Sequence, residues 1–220
     1  MKGLDTIKER FERDAVAFDA IYRLEDSTVS RWFNLVFRKA VFRRYEICFE
    51  RCGKIEGADV LDIGCGSGIY SVDFARRGAR SVLGMDFSAP MLELAKKEAS
   101  KHGVTDACVF KLQNFMEASF DKQFGITIAM GVFDYLADPE VFLKKMASVT
   151  NGTIIASFPA PSLLRQPVRR ARYRLTGKGD VYFYKASAVR NLAAKAGLHD
   201  VQLVSLGRAG NVLVAQSKGS

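Results

Sequence analysis

The sequence of 220 residues lacks the features of membrane-spanning and secreted proteins. It has no apolar run near the ~18 residues that a transmembrane helix needs. Its first ten residues are charged and contain no apolar core of a secretory signal. Hydrophobic residues make up 48% of the chain and the mean hydropathy is −0.01, which excludes a disordered protein. We therefore expect a cytoplasmic globular α/β protein with a full core.

The chain has four cysteines, and their spacing predicts no metal centre. Cys48 and Cys52 lie one helical turn apart with no histidine near them, whereas Cys65 and Cys108 lie in separate segments. This arrangement matches neither a zinc site nor a disulfide framework. We interpret all four as reduced thiols and expect no bound metal.

A glycine-rich segment over residues 60–70 is the most informative feature that is present. A short apolar run that ends in Asp62 predicts a buried parallel strand, and the glycines at alternate positions after it predict a tight turn into a helix. Glycine suits this turn because it adopts positive φ and lets a ligand approach the backbone. The Gly-x-Gly-x-Gly spacing differs from the Gly-x-Gly-x-x-Gly of dinucleotide-binding folds, which disfavours a nicotinamide-dependent dehydrogenase.

A second acid ends a second predicted strand. Asp86 follows the run Ser-Val-Leu-Gly-Met and lies 24 positions after Asp62. This offset is close to the ~20 residues that place a carboxylate at the tip of the neighbouring strand, where it can bind both hydroxyls of a ribose. The alternative is that Asp86 caps the next helix, although Ser88, at the opening of that helix, is the better cap. Both interpretations can hold together.

Strand-like and helix-like patterns alternate along the chain. Two helices are predicted before the glycine motif, over 5–25 and 27–52. The alternation predicts a parallel sheet with helices on both faces, and the short turn 207–210 predicts a closing antiparallel hairpin. The predicted strands lie near 59–64, 81–87, 107–113, 125–131, 152–158, 201–207 and 211–216, and the remaining predicted helices near 69–78, 89–103, 138–149 and 185–197.

These motifs resemble those of the class I S-adenosylmethionine (SAM)-dependent methyltransferases, and the resemblance covers roughly residues 55–217. It implies a Rossmann-like three-layer α/β sandwich with a seven-stranded, mostly parallel sheet and an antiparallel last strand. It also implies an N-terminal helical cap over 1–54 and a SAM-binding core over 55–220, with a substrate-lid insertion at about 159–184. The implied cofactor is SAM, and the product is S-adenosylhomocysteine (SAH).

The resemblance also implies where the cofactor binds. The glycine loop would face the amino-acid part of SAM with Asp62 orienting the loop, Asp86 would bind the ribose, and the residues after Asp86 would pack on adenine. Asn114 departs from the family, because many members have Asp there, but its carbonyl can still accept from the adenine amine. The implied cofactor-binding residues are Asp62, Gly64, Cys65, Gly66, Ser67, Gly68, Asp86, Phe87, Met91, Asn114, Phe115, Met130, Gly131 and Phe133.

Methyl transfer from a sulfonium needs alignment and a dry pocket more than strong acids or bases. The two histidines, His102 and His199, lie away from the strand ends where a substrate would bind, so we expect no histidine base. Asp134 and Tyr135, just after the fourth predicted strand, are the candidate catalytic residues. The alternative is that Asp134 only caps a turn.

The chain carries a formal net charge of +9, and its most basic region is the predicted lid. Residues 159–174 contain five arginines and no acid, a composition suited to carboxylates or phosphates. The candidate substrate-binding residues are Tyr22 in the predicted cap and Arg165, Arg169 and Tyr184 in the predicted lid. Tyr22 fits a core aromatic equally well.

Aromatic and basic residues also alternate over residues 31–45. Three interpretations of this segment stay open. The aromatics pack on the core while the arginines extend to water, the helix lies on an anionic membrane surface, or the segment contacts substrate. The predicted localisation is accordingly cytoplasmic, with peripheral membrane contact as an alternative.

Within the family, the basic cap, the run 158–162 and the late Phe-Tyr segment are similar to those of bacterial small-molecule enzymes of the magnesium-protoporphyrin or ubiquinone O-methyltransferase type. We therefore expect methyl transfer to a small or amphipathic, anionic acceptor, at oxygen. One alternative is an RNA methyltransferase, although the Asp/Asn-Pro-Pro-aromatic turn of many base-modifying enzymes is absent. The other is a catalytically silent SAM-binding partner protein.

Overall fold

A computed structural model describes residues 31–161 and 181–218. Helix α1 precedes the glycine motif, and strands and helices then alternate as the sequence predicts. The helices are α1 (Arg31–Arg51), α2 (Ile69–Arg76), α3 (Ala89–Lys101), α4 (Pro139–Ser148) and α5 (Ala186–Lys195). The strands are β1 (Asp59–Ile63), β2 (Ser81–Asp86), β3 (Cys108–Leu112), β4 (Phe124–Ala129), β5 (Thr150–Pro159), β6 (His199–Ser205) and β7 (Gly210–Gln216). Three single-turn 3₁₀ helices cover Phe115–Glu117, Phe133–Tyr135 and Gly207–Ala209.

The strands form one seven-stranded sheet in the order β3-β2-β1-β4-β5-β7-β6. The first five strands are parallel, and β7 runs antiparallel to both of its neighbours. The predicted mostly parallel sheet with an antiparallel last strand is therefore confirmed. The hairpin predicted at 207–210 is also confirmed, because β6 and β7 pair on either side of that turn.

The core consists of two apolar layers, one on each face of the sheet. Alternate residues of β5 show the division: Ile154, Ala156 and Phe158 join the layer beneath α4 and α5, whereas Ile155 joins the layer beneath α1, α2 and α3. All of these side chains are buried. The result is the predicted three-layer sandwich.

The second half of α1 packs against the core. Ile47 and Cys48 are fully buried, and the rings of Tyr45 and Phe49 contact Tyr70 of α2. On the outer side of the helix Phe42 is exposed. For residues 41–51 this supports core packing among the three interpretations of the basic aromatic segment.

The predicted cap over 1–54 and the predicted lid at 159–184 lie largely outside the described residues. The division of the chain into these units stays a prediction. Within the described part of the chain, no helix combines the length and the apolar character that crossing a membrane requires.

Candidate active site

The carboxyl ends of the five parallel strands meet at one edge of the sheet. The strand order changes direction at β1, which has β2 on one side and β4 on the other. Open α/β sheets bind ligands at such a point, in the crevice outside the carboxyl ends of the strands. The segments that the sequence singles out follow β1, β2, β3 and β4, so the fold brings them to this edge.

In the glycine loop after β1, every second residue has a left-handed backbone conformation. The φ angles are +69° at Gly64, +53° at Gly66 and +80° at Gly68. A Cβ on Gly64 would lie 2.6 Å from Val132 Cγ2, and one on Gly68 would lie 2.8 Å from Ala95 Cβ, so these two glycines allow close packing of the loop. A Cβ on Gly66 would meet nothing within 4 Å. The middle glycine therefore faces open space, as a loop that cradles a ligand requires.

Asp86 ends β2 and holds the glycine loop. One carboxylate oxygen accepts from the Gly66 N–H at 2.9 Å and the other accepts from the Ser88 N–H at 2.9 Å. Burial raises the pKa of this carboxyl, which is 6% exposed. Ser88 caps α3 by accepting from the Met91 N–H. Asp86 therefore lies at the predicted strand tip and orders the turn into α3, whereas Ser88 is the residue that caps this helix. Ribose binding by Asp86 stays a prediction.

Asp62 lies beneath the glycine loop and is 1% exposed. Its carboxylate accepts from the Ser71 hydroxyl of α2 at 2.7 Å, so its described hydrogen bond is to the helix that follows the loop. Burial, with a smaller effect from the nearby Asp86 charge, raises the pKa of Asp62 to about 7. Burial also raises the pKa of the Cys65 thiol well above its usual range, so this cysteine is an unreactive neutral group.

The segment after β3 mixes one polar and several apolar contacts. Asn114 caps the short helix Phe115–Glu117: its carbonyl accepts from the Met116 N–H and its amide donates to Glu117. That carbonyl oxygen has a second lone pair with which it can accept another hydrogen bond. Phe115 instead packs its ring against Phe142 in the core, with centroids 5.0 Å apart. Phe87 is partly exposed and Met91 is buried.

The turn after β4 is joined to β5 and to α1. The Gly131 N–H donates to the Ser157 hydroxyl at 2.8 Å, and Nη1 of Arg44 donates to the same oxygen at 3.4 Å. Gly131 has φ +86°, and a Cβ on it would lie 3.4 Å from the Arg44 guanidinium. Phe133 is buried against Phe158 with ring centroids 4.2 Å apart, so its ring belongs to the core. Met130 is partly buried.

The two candidate catalytic residues lie in the short helix Phe133–Tyr135 and are partly buried. The Asp134 carbonyl accepts from the Tyr182 N–H at 2.9 Å. Capping of the next helix is provided by Asp138, whose carboxylate accepts from the Val141 N–H at 3.2 Å. Asp138 therefore caps α4, and the alternative that Asp134 caps the preceding turn stays a prediction.

Of the four candidate substrate residues, the structure describes one. Tyr184 is buried, and its hydroxyl lies 3.1 Å from the Phe133 carbonyl and 3.3 Å from the Leu136 carbonyl. Burial raises the pKa of this phenol. These contacts give Tyr184 a role in fixing the turn after β4. Tyr22, Arg165 and Arg169 lie outside the described residues.

The sequence analysis did not single out Arg44 or Ser157 for this site. Arg44 is one of several arginines in α1, and only its contacts distinguish it from the others. Ser157 carried a local signal, because it is the one hydroxyl in the apolar run 154–158. A polar side chain in a buried strand needs partners, which makes it worth attention. All four cysteines are free and buried, and no three metal-ligating side chains of residues 31–161 and 181–218 lie close enough to hold an ion.

Comparison with known proteins agrees with this geometry. Residues 60–152 match the family model of a methyltransferase domain. This segment is therefore similar to the methyltransferase domains that the family model describes. The match supports the predicted family, and it contains β2 to β4, all of β1 except Asp59, the glycine loop and Asp86.

Curated relatives and solved structures extend this result. A ubiquinone biosynthesis O-methyltransferase of Klebsiella pneumoniae (strain 342) is 32% identical over 120 residues, which cover 52% of this chain and 49% of that protein. The chain therefore matches about half the length of this relative. The magnesium protoporphyrin IX methyltransferase of Synechocystis PCC 6803, solved with bound SAH, superposes on this structure with a TM-score of 0.72 at 21% identity. The superposition covers 96% of this chain and 97% of that chain.

A third structural neighbour shows that this fold alone does not determine the reaction. The [4+2]-cyclase SpnF has a TM-score of 0.65 at 17% identity and covers 81% of this chain and 82% of its own. SpnF is named as a cyclase. Proteins with this fold therefore differ in reaction, and function has to be argued from the site.

Proposed function

We propose that this protein transfers a methyl group from SAM to the oxygen of a small or amphipathic, anionic acceptor. The observation that carries the proposal is the glycine loop: the middle glycine faces open space while its N–H is held by Asp86 at the tip of β2. The names of the ubiquinone and magnesium-protoporphyrin relatives support a small-molecule acceptor. The family match covers residues 60–152, and the acceptor and the reaction of the whole protein are proposed beyond it.

Among the described residues, a different residue is suited to each part of the SAM molecule. The open side of Gly66 leaves room for the cofactor, and Asp86 has acceptor capacity for the ribose hydroxyls. Asn114, at the end of β3, has a carbonyl lone pair for the adenine amine. Arg44, beside Gly131 and Ser157, supplies a positive charge for the carboxylate of the methionine part.

Positioning and exclusion of water account for the catalysis that we propose. SAM supplies an electrophilic methyl group on a sulfonium. Alignment of a nucleophile with that methyl group can contribute on the order of 7–11 kcal/mol to lowering the barrier. The chain contributes by fixing the turn after β4 through the Ser157 and Tyr184 hydroxyls. Asp134 and Tyr135, in that turn, are the proposed groups to accept a proton from the acceptor oxygen.

The anionic character of the proposed acceptor is inferred from the positive charge of the predicted lid. The five arginines of residues 159–174 follow β5, whose carboxyl end is at the same edge as the glycine loop. A membrane surface finds less support in the described part of α1. There Arg43 pairs with Glu46 and Glu50, so the exposed side is not uniformly basic. Peripheral contact with an anionic membrane stays a prediction for residues 1–40.

The test has two stages. Purified protein is first titrated with SAH by calorimetry, with NAD and ADP as controls. We expect micromolar binding of SAH alone, after which transfer of a labelled methyl group from SAM is screened over anionic lipophilic acceptors. Binding of NAD in preference to SAH would overturn the proposal.

A second candidate is a SAM-binding protein with no methyl transfer, and the cyclase among the structural neighbours favours keeping it. Such a protein would bind SAH and transfer nothing to any acceptor in the screen. An RNA methyltransferase would instead show RNA affinity that falls steeply with salt, because affinity for a phosphate backbone depends on released counterions.

A further inference from the structure

Two adjacent lysines of α4 have different surroundings. The Lys144 side chain is exposed, and its ammonium pairs with Glu140, one turn earlier on the same helix, at 2.8 Å. The Lys145 side chain is partly buried, and burial lowers the pKa of its ammonium. Within residues 31–161 and 181–218, no carboxylate pairs with Lys145. A partly buried cation without a counter-charge needs other hydrogen-bond partners.

The partners of Lys145 are two backbone carbonyls. Its ammonium donates to the Met116 carbonyl at 2.9 Å and to the Ala118 carbonyl at 2.7 Å, and it lies 5.3 Å from the centroid of the Phe115 ring. These carbonyls belong to the end of the short helix Phe115–Glu117, where carbonyl groups lack partners within the helix. They carry partial negative charge, so a cation beside them is favourable. Lys145 thus caps this helix from α4.

Asn114 caps the other end of the same helix. Its side-chain carbonyl accepts from the Met116 N–H at 3.0 Å, and its amide group donates to Glu117 Oε1 at 3.0 Å. Met116 therefore gives its N–H to Asn114 and its carbonyl to Lys145. A helix of three residues has too few internal hydrogen bonds to be stable alone, so it depends on its caps. The orientation of the Asn114 amide thus depends on a lysine of α4.

The orientation of this amide decides which purine it can recognise. An asparagine side chain presents either an oxygen that accepts or an NH₂ group that donates, whereas an ionised Asp can only accept. The adenine amine is a donor, so it needs the oxygen. Asn114 therefore distinguishes adenine from a purine with an oxygen in place of the amine only while its amide is kept from turning around.

We infer that Lys145 is a positioning residue that makes the cofactor site selective for adenine, because it holds the helix whose Met116 N–H fixes the Asn114 carbonyl. The inference rests on the proposed function, since it takes Asn114 as the residue that binds the adenine amine. Without the ammonium, the helix Phe115–Glu117 loses its second cap, and the Asn114 amide is free to turn its NH₂ group towards the purine. That group opposes the adenine amine and suits an oxygen acceptor.

SAH and S-inosylhomocysteine test this selectivity, because the second ligand carries an oxygen where adenine has its amine. Calorimetry gives the two dissociation constants, and their ratio is the readout. A smaller folded fraction weakens both ligands equally and leaves the ratio unchanged. Lys145→Met removes the ammonium and keeps an unbranched apolar stem, whereas Lys145→Arg keeps the charge and the donors. Lys144→Met is the matched control, since it removes the neighbouring ammonium that pairs with Glu140.

We expect the wild type to prefer SAH at least about tenfold, the effect of one hydrogen bond kept and one pair of opposed donors avoided. In Lys145→Met the preference should fall at least about threefold, whereas Lys145→Arg and Lys144→Met should keep it within about twofold. An Asn114→Asp background removes the NH₂ group that could turn towards the ligand. In that background Lys145→Met should change the preference by less than about twofold, because the two residues act through one group.

Three results in the variants would overturn the inference. An unchanged preference in Lys145→Met would show that the ammonium does not fix the amide. Equal weakening of both ligands would give Lys145 a role in stability alone. A fall of the same size in the Asn114→Asp background would mean that Lys145 acts through another group. If Lys145→Met does not fold, Lys145→Gln, which is neutral and shorter, takes its place with the same expected fall.

Failure of the proposed function is distinguishable from failure of this inference. A wild type that binds no SAH would contradict both. A wild type that binds SAH and S-inosylhomocysteine equally would overturn the role of Lys145 and Asn114 and leave the proposed function in place.

Discussion

The two sides of the carboxyl edge of the sheet are held by hydrogen bonds whose partners differ in sequence separation. On the side of β1 and β2, the Gly66–Asp86 bond spans 20 residues and the Ser71–Asp62 bond spans nine. On the side of β4 and β5, the Arg44–Ser157 bond spans 113 residues and the Tyr184–Phe133 bond spans 51. The first side is built by neighbouring segments, whereas the second requires α1 and the end of the predicted lid.

This difference suggests separate duties for the two sides. The first would fix the nucleoside through a loop whose shape depends on glycines and one carboxylate. The second would fix the methionine part and the acceptor through contacts that exist only in the folded chain. If the sides are as distinct as their contacts indicate, substitutions on one should leave the other's ligands unaffected.

The largest effect should come from crowding the glycine loop. Gly68→Ala places a side chain 2.8 Å from Ala95 at a positive φ, so we expect the free energy of unfolding to fall by about 3 kcal/mol. Gly103→Ala is the matched control: its φ is also positive, but nothing lies within 4 Å, so the loss should be about 1 kcal/mol. Denaturant-induced unfolding measures the free energy of unfolding of both variants. Equal losses would mean that packing against α3 does not contribute.

Removing Asp86, the proposed ribose-binding acid, should weaken binding more than it weakens the fold. For Asp86→Ala we expect a loss of at least about 2 kcal/mol in SAH binding, since a charge-assisted contact is removed. By calorimetry, 5′-methylthioadenosine should lose as much, because it has the same ribose. Asp73→Ala, which removes a carboxylate paired with Arg76 on α2, should change neither affinity. Unchanged SAH affinity in Asp86→Ala would remove the ribose assignment.

A smaller effect should appear in the pH dependence of stability. The pKa of Asp62 is raised from 3.8 to about 7, so the folded protein holds this proton more tightly than the unfolded chain. The stability due to the proton is complete below about pH 4 and is lost as pH rises through 7. Between pH 5 and pH 7 the wild type should lose on the order of 1–2 kcal/mol relative to Asp62→Asn.

Denaturant unfolding of the wild type and Asp62→Asn at several pH values isolates this contribution. The asparagine can still accept from the Ser71 hydroxyl, so the packing around the site is matched. Parallel pH profiles for the two proteins would contradict the raised pKa.

The smallest effect belongs to the second side of the edge. Tyr184→Phe removes the hydroxyl that lies near the Phe133 and Leu136 carbonyls, and should lower the free energy of unfolding by about 1 kcal/mol. Affinity for 5′-methylthioadenosine should stay unchanged. Tyr182→Phe is a suitable control, because the described bond of Tyr182 is through its backbone. A marked loss of nucleoside affinity in Tyr184→Phe would show that the two sides are not separate.

The sequence predicted the fold and the first side of the site because both depend on local patterns. Alternating glycines encode the positive φ angles of the loop, and an acid after an apolar run encodes a strand tip. All seven strands and the helices α2 to α5 lie where the alternation predicted them, within a few residues.

The second side was less accessible to sequence reasoning for a physical reason. Nothing local distinguishes Arg44 from the arginines beside it, and its role follows from a contact with a strand 113 residues away. Phe115 and Phe133 fit a cofactor pocket by position, yet their rings point into the core, since a residue's face is decided by packing. Whether their backbones meet the cofactor stays a prediction.

The position of β7 has a consequence for how the protein is made. β7, the last strand of the described residues, is an interior strand of the sheet, between β5 and β6. As the chain leaves the ribosome, β5 and β6 emerge before their shared neighbour, so each must wait with an unpaired edge. Unpaired edges invite association with other chains. The completion of Gly210–Gln216 is therefore the step that pairs the inner edges of β5 and β6.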